Sequence, residues 1–261
     1  MSRYDLDGRV AIVTGASVGL GAEFCDALAE SGAKVVLAAR REDRIREAAS
    51  LIERKHGVQT LAVRTDVARE ADIAQLVKAA LDSFGTLDIL VNNAGTTLAR
   101  PLLEQTLADW QSVIEVNLTS VFLASREAAR AMVPRRSGSI INIGSIFGAA
   151  ASKHLPIVGY YASKGGVTML TKALAVELGQ HNIRVNEIAP TFYPTEMSRE
   201  GMFADTEAGE RLREEILWPR TALPAPPKTE YLRGTVCFLA SDDSYYITGT
   251  TLPVDGGWRA L

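Results

Sequence analysis

Two side chains in this sequence are spaced for proton transfer. In Tyr160-Tyr161-Ala162-Ser163-Lys164 a tyrosine stands four residues before a lysine, and on a helix that spacing puts both on one face. A lysine cation beside a phenol favours the phenolate and pulls down a pKa that otherwise lies at about 10. Tyr161, three residues before Lys164, shares the face and competes for the same role. Upstream, Asn142-Ile143-Gly144-Ser145 ends in a serine whose hydroxyl could hold a carbonyl oxygen. The chemistry implied is delivery of a proton to a substrate oxygen, or its removal.

Such a pair needs a scaffold. Thr14-Gly15-Ala16-Ser17-Val18-Gly19-Leu20-Gly21 joins a short Val/Ile-rich run to a helical period. Its glycines allow a tight turn and a close backbone approach, and the helix that follows presents free N–H groups and the positive end of its dipole to a pyrophosphate. The spacing is Gly-x-x-x-Gly-x-Gly rather than the usual G-x-G-x-x-G.

Beyond the turn, apolar runs alternate with helical periods, which argues for βαβ units and a parallel sheet. Strands are predicted over Arg9–Thr14, Lys34–Ala39, Gln59–Arg64, Leu87–Asn92, Ser139–Gly144, Arg184–Ile188 and Leu252–Val254. Helices are predicted over Gly19–Ser31, Arg44–His56, Ala71–Phe84, Leu107–Val133, Tyr160–Gln180 and Glu230–Ala240. The fold expected is α/β: one Rossmann-type, doubly wound domain over residues 1–261, its mostly parallel seven-stranded sheet covered by helices on both faces. Glu187 falls on a predicted inner strand, where an acid needs a partner.

The stretch 190–228 differs in composition. It collects Pro190, Pro194, Pro219, Pro224, Pro226 and Pro227 with Phe192, Tyr193, Met197, Met202, Phe203 and Trp218. An apolar excursion between a strand end and the last helix reads as a lid over a substrate, the alternative being a surface that packs on a neighbouring subunit.

The net charge of -3 argues against nucleic acid or an anionic membrane as the main partner. No apolar stretch reaches membrane-spanning length, and the N-terminal residues lack an apolar signal region. Cys25 and Cys237 have no metal-binding spacing and read as reduced thiols of a cytoplasmic protein.

Gly15, Gly19 and Gly21, the run Asn92-Asn93-Ala94-Gly95, Asn117, Ser145, Tyr160, Lys164 and the ending Asp255-Gly256-Gly257-Trp258 together resemble the short-chain dehydrogenase/reductase family, from about Leu6 to Trp258. The resemblance implies an NAD(P)-dependent oxidoreductase that interconverts a ketone and a secondary alcohol. It makes Tyr160, four residues before Lys164, the general acid or base. Lys164 would bind the ribose hydroxyls and lower the phenol pKa, and Ser145 would bind the substrate oxygen. Asn117 would kink a helix and support a water linking Lys164 to solvent. Tyr161 is left to pack or to face a partner subunit.

The cofactor site implied comprises Gly15, Ser17, Val18, Gly19 and Leu20 at the turn, with Asp66 and Val67 bracketing the adenine. Asn93, Ala94 and Gly95 would lie at the ribose, and Pro190 and Phe192 beside the nicotinamide, together with Tyr160 and Lys164, with Thr195 at the carboxamide or the pyrophosphate. Asp66 could equally serve only as a cap for the helix after it. Thr191 stands where the family usually has glycine, and Val18 where many NADP-preferring relatives have a basic residue. At the end of the second strand, where an acid would bind a ribose 2′-hydroxyl, stand Ala39, Arg40 and Arg41. Two guanidinium groups suit a 2′-phosphate, so NADP(H) is favoured, with NAD(H) the alternative.

The partner expected is a small carbonyl or alcohol, and the resemblance to tetrameric relatives implies a homotetramer, with a dimer the alternative. Alternatives are a 3-oxoacyl-thioester reductase, a gluconate-type sugar or polyol dehydrogenase, and, in a different class, a non-catalytic NADP-sensing protein. His154, in the Ser145–Tyr160 segment, is a candidate contact for a polar substrate group.

Overall fold

The structure, a computed structural model, describes residues 4–199 and 203–260. Seven strands form one sheet in the order β3-β2-β1-β4-β5-β6-β7. They are β1 (Val10–Thr14), β2 (Lys34–Ala39), β3 (Thr60–Arg64), β4 (Ile89–Asn92), β5 (Gly138–Ile143), β6 (Ile183–Pro190) and β7 (Thr251–Val254). Every pairing is parallel, so the sheet is parallel throughout rather than mostly. The chain runs outward from β1 to β3, then returns to β4 and runs outward the other way. The reversal between β1 and β4 opens a crevice at the strands' carboxyl ends, where ligands of such sheets bind.

Burial on both faces explains the unbroken apolar strands. Ala11 and Val13 pack against α1 (Gly19–Glu30), α2 (Glu42–His56) and α9 (Arg233–Ala240), through Phe24, Leu28, Ile45, Ile52 and Val236. Val10 and Ile12 point to the other face, against α3 (Glu70–Phe84), α5 (Ser120–Met132) and α6 (Val158–Gly179), through Ile73, Leu76, Ala128 and Leu178. The period of two along β1 thus feeds two cores. A third cluster of Ile146, Phe147, Ile157, Phe192, Leu217 and Trp258 sits past the ends of β5 and β6.

The predicted single helix Leu107–Val133 is interrupted. It divides into α4 (Leu107–Ile114), a π-helical turn over Glu115–Thr119, and α5. The cause is Asn117, whose side chain is fully buried and bonded to the backbone of Thr96 on both its donor and acceptor sides. Holding it there widens the helix by one residue, as such turns do at functional sites. Similarly, Glu230–Ala240 resolves into a 3₁₀ turn, Thr229–Leu232, followed by α9.

Within 190–228 the structure places α7 (Glu196–Arg199), α8 (Glu207–Arg211), a π turn over Leu212–Leu217 and a 3₁₀ turn over Trp218–Arg220. The Phe203 and Trp218 rings lie 5.9 Å apart, and Leu217 is buried in the third cluster. Met202 lies outside the described residues. Among the described residues no helix is long and apolar enough to cross a membrane.

Candidate active site

The glycine turn is clamped to the end of β4. Thr14 Oγ1 accepts from the backbone N–H groups of Asn93 (3.0 Å) and Ala94 (3.1 Å). Asn93 Nδ2 donates to the carbonyls of Thr14 (2.9 Å) and Gly15 (3.2 Å), so Asn93 ties neighbouring strands as its type suggests. Gly15 has φ +67°, and a β-carbon there would lie 2.9 Å from Ala94 Cα. A β-carbon on Gly21 would overlap the Gly15 carbonyl. Val18, the residue before α1, is extended and offers no side-chain cap, and the first turn of α1 carries no acid. Free N–H groups at a helix start, reached over glycines, fit a pyrophosphate. Leu20 packs against the core below.

Of the two arginines after β2, only Arg41 turns toward this loop. Its Nη2 donates to Ser17 Oγ (3.0 Å), and its Nη1 and Nη2 grip the carboxylate of Glu196 at 2.8 and 2.6 Å. Arg44 Nη1 reaches the same carboxylate at 3.3 Å. Arg40 is exposed. Asp66 is not the cap of α3, whose preceding residue is Arg69. It accepts from Ala68 N (3.1 Å), and its own N–H donates to Asp72 (3.0 Å). Val67 is partly buried against α3's face of the core.

Ser145, Tyr160, Lys164, Asn117 and Gly95 converge above β4 and β5. Ser145, 7% exposed, opens a 3₁₀ turn, and its Oγ accepts from Phe147 N (3.1 Å). Asn117 Nδ2 also donates to Ser163 Oγ (3.0 Å), and Ser163 donates to the Tyr160 carbonyl (2.8 Å). The π turn is thereby joined to the start of α6. A β-carbon on Gly95 would lie 3.5 Å from Asn117 Oδ1 and 3.9 Å from Lys164 Nζ, so this glycine keeps open the space in front of both.

The electrostatics differ from the sequence expectation. Burial pushes the Tyr160 phenol up, and hydrogen bonding to Ser145 pulls it partly back. Lys164 Nζ donates to the Ile143 carbonyl at 2.7 Å and lies 5.6 Å from the centre of the Tyr160 ring. Burial also drives Lys164 down to about 8, opposed by the Glu187 carboxylate. Glu187 has the partners its buried strand position demands. It accepts from Thr168 Oγ1 (3.0 Å) and Thr251 Oγ1 (2.6 Å), and burial raises its pKa.

Tyr161 is otherwise engaged. Its hydroxyl donates to the Leu155 carbonyl (3.0 Å) and its ring meets Phe147 edge-on at 5.1 Å, so it holds the 152–155 loop. His154, exposed on that loop, lines a cavity of about 480 Å³ with Lys153, Arg220 and Trp258. Pro190 ends β6 and is buried. Thr191 keeps a buried hydroxyl with no hydrogen-bond partner, an orphan that a ligand amide would satisfy. Phe192 packs on Phe147 (5.5 Å) and Trp258 (6.1 Å). Thr195 lies over the turn, its Cβ 3.4 Å from where a β-carbon of Gly19 would be. Sequence reasoning missed Arg44 and Glu196. Arg44 read as a helix start, and Glu196 is distant from Arg41 in sequence, so no local pattern pairs them.

A parallel doubly wound sheet with a glycine turn at its switch point and an acid–base cluster above β5 defines a nicotinamide-dependent oxidoreductase of the Rossmann type. A family model described as short chain dehydrogenase matches residues 9–203. The chain is 42% identical to 3beta-hydroxysteroid dehydrogenase 1 of Eggerthella lenta, covering 97% of this chain and 94% of that one. It is 38% identical to a 3-oxoacyl-[acyl-carrier-protein] reductase of Synechocystis, over 97% of each. A gluconate 5-dehydrogenase from Burkholderia cenocepacia, solved with NADP and tartrate, superposes with a TM-score of 0.90 at 35% identity, covering 99% of this chain and 98% of that one. The chain belongs to the short-chain dehydrogenase family. It is an oxidoreductase acting on CH–OH or carbonyl groups.

Proposed function

We propose that the protein interconverts a ketone and a secondary alcohol, with NADP(H) preferred to NAD(H). The observation that carries this reading is the convergence of Ser145, Tyr160 and Lys164 beside a glycine turn whose shape suits a dinucleotide. Gly15, Ser17, Val18, Gly19 and Leu20 would hold the pyrophosphate, with Asp66 and Val67 at the adenine. Asn93, Ala94, Gly95 and Lys164 would lie at the ribose, Pro190, Thr191 and Phe192 at the nicotinamide, and Thr195, which lies over the Gly19 turn, at the pyrophosphate or the carboxamide. Bound there, the nicotinamide supplies or takes up the hydride.

The protein's own part is orientation and the proton. Ser145 donates to the carbonyl oxygen and fixes its direction. Tyr160 gives its proton to that oxygen as negative charge develops, and takes it back in alcohol oxidation. A phenol kept protonated by burial suits the reductive direction. Lys164 reprotonates the tyrosine side of the site, and Asn117 holds the π turn that keeps Lys164 and Gly95 in place. Arg41 takes the 2′-phosphate, with Arg40 in a lesser role at the surface.

The apolar and aromatic residues of the 190–228 segment, among them Phe192, Tyr193, Phe203 and Trp218, support an apolar ketone over a polyol. The hydroxysteroid dehydrogenase among the relatives supports the same choice. The 190–228 segment, which contributes Phe192 and Leu217 to the third cluster, is the lid. Exposed Leu103, Leu107 and Phe122 around α4 and α5, and Met169 and Val176 on α6, support a homotetramer; its place is the cytoplasm.

The test is a panel of apolar ketones, oxoacyl thioesters and sugar acids with NADPH and with NADH, followed by loss of nicotinamide absorbance. Turnover of apolar ketones with NADPH supports the reading; no turnover of any carbonyl with either cofactor overturns it.

A further inference from the structure

Glu196 holds the arginine that the proposed reading gives to a 2′-phosphate. Both terminal nitrogens of Arg41 are committed to its carboxylate, at 2.8 and 2.6 Å. Arg44 adds a third contact at 3.3 Å, and Arg41 Nη2 is shared with Ser17 Oγ at 3.0 Å. This is a two-point grip of a guanidinium on an oxyanion, the geometry Arg also uses for phosphate. The carboxylate comes from the opposite side of the cofactor cleft. It follows Thr195, which lies against Gly19 of the phosphate-binding turn, and it begins α7 rather than belonging to the β2–α2 region that carries the arginines.

We infer that Glu196 is a specificity-determining residue: a carboxylate that stands in for the 2′-phosphate on Arg41 and must be displaced by it, so that it weakens NADPH binding while leaving NADH binding largely untouched. The inference rests on the reading of this cleft as a dinucleotide site.

The exchange runs in a definite direction. The Arg41 and Glu196 side chains are 41% and 47% exposed, and ion pairs so open to water are weakly held. A phosphate monoester carries about 1.5 to 2 negative charges at neutral pH and three acceptor oxygens. It therefore outcompetes one carboxylate for the same fork, helped by Arg44. The two anions cannot both use the Arg41 fork, and the carboxylate left beside the phosphate repels it. A ribose with a free 2′-hydroxyl makes no such demand, and Glu196 stays where it is. Glu196 thus trims a preference that Arg41 creates, and the NADPH-to-NADH affinity ratio is set by the two residues together.

The experiment measures dissociation constants by calorimetry for NADPH, NADH, 2′,5′-ADP and 5′-AMP on the intact chain. The proteins compared are the wild type, Glu196→Gln, Glu196→Ala and Arg41→Ala. The expected result is that both Glu196 variants bind NADPH and 2′,5′-ADP about three- to tenfold more tightly, with NADH and 5′-AMP within about twofold. Arg41→Ala should lose the 2′-phosphate preference. The adenosine fragments lack the nicotinamide, so they report the phosphate site without turnover. Unchanged or weaker binding of NADPH and 2′,5′-ADP in both Glu196 variants overturns the inference while the cofactor reading stands. Failure of the wild type to bind any of the four ligands overturns both.

Discussion

Lys164 and Tyr160 share one face of α6, yet the lysine's Nζ bonds the Ile143 carbonyl at 2.7 Å and stays 5.6 Å from the centre of the tyrosine ring. Burial raises the phenol pKa, and the hydrogen bond to Ser145 partly offsets it. Lys164 is anchored to the end of β5, the strand that also leads into Ser145, so one strand end fixes the height of both groups. On the proposed reading the site is a proton donor first, and its chemistry should carry that asymmetry in pH.

With the phenol raised above its ordinary value, its acid form persists across the neutral range. Carbonyl reduction should therefore run with little pH dependence below about pH 8, where Lys164 remains charged, and decline above it. Alcohol oxidation needs the phenolate and should rise as pH climbs through the alkaline range. Initial rates in both directions from pH 6 to 10 check this; an oxidation rate that falls with rising pH would count against the assignment.

Lys164 also links pH to stability. Its folded value of about 8 lies below its ordinary 10.5, so between those two the unfolded chain holds a proton that the folded chain has lost. Stability then rises with pH across that window, and below it the cost of burying the cation is fully present. Relative to Lys164→Met, the wild type should gain about 3 kcal/mol between pH 8 and 10.5. Denaturant melts of both proteins at several pH values would show it, and parallel curves would exclude it.

Asn117→Ala removes side-chain bonds to Thr96 N, Thr96 O and Ser163 Oγ. The change should cost about 2–4 kcal/mol by stranding buried polar groups. It should also lower turnover by more than the fraction unfolded, because the π turn loses the contact that shapes it. Thermal melting alongside kcat separates the two effects. A variant that melts lower but turns over normally would make Asn117 purely structural.

Gly21→Ala puts a methyl group into the Gly15 carbonyl and 2.6 Å from Asn93 Nδ2. Both are fixed by the clamp on β4, so the turn cannot give way without losing its shape. Dinucleotide affinity should drop by at least about tenfold. Gly57→Ala, at the end of α2 where nothing lies within 4 Å, should affect stability only through its left-handed backbone. Calorimetric titration of both variants checks the contrast.

The strands were legible because β1, β2 and β4 are buried on both faces and leave unbroken apolar runs. The glycine turn was legible because sterics leave Gly15 and Gly21 no alternative. Helical spacing put both Tyr160 and Tyr161 on one face with Lys164, and only the family resemblance selected Tyr160, with Ser145 at the end of β5. What was not legible depends on contacts between distant segments. A kink at Asn117 was implied by the resemblance, but not its cause, the bonds to Thr96, nor the capture of Arg41 by Glu196 on the far side of the cleft. The upward direction of the Tyr160 pKa also follows from burial, which a four-residue spacing does not encode.

The central claim is that Tyr160 delivers the proton. Tyr160→Phe keeps the ring and its packing and removes only the hydroxyl. With an apolar ketone accepted by the wild type, NADPH oxidation by the variant should fall by about a hundredfold or more, while NADPH binding followed by nicotinamide fluorescence stays within about threefold. Turnover at the wild-type rate in Tyr160→Phe would contradict the account.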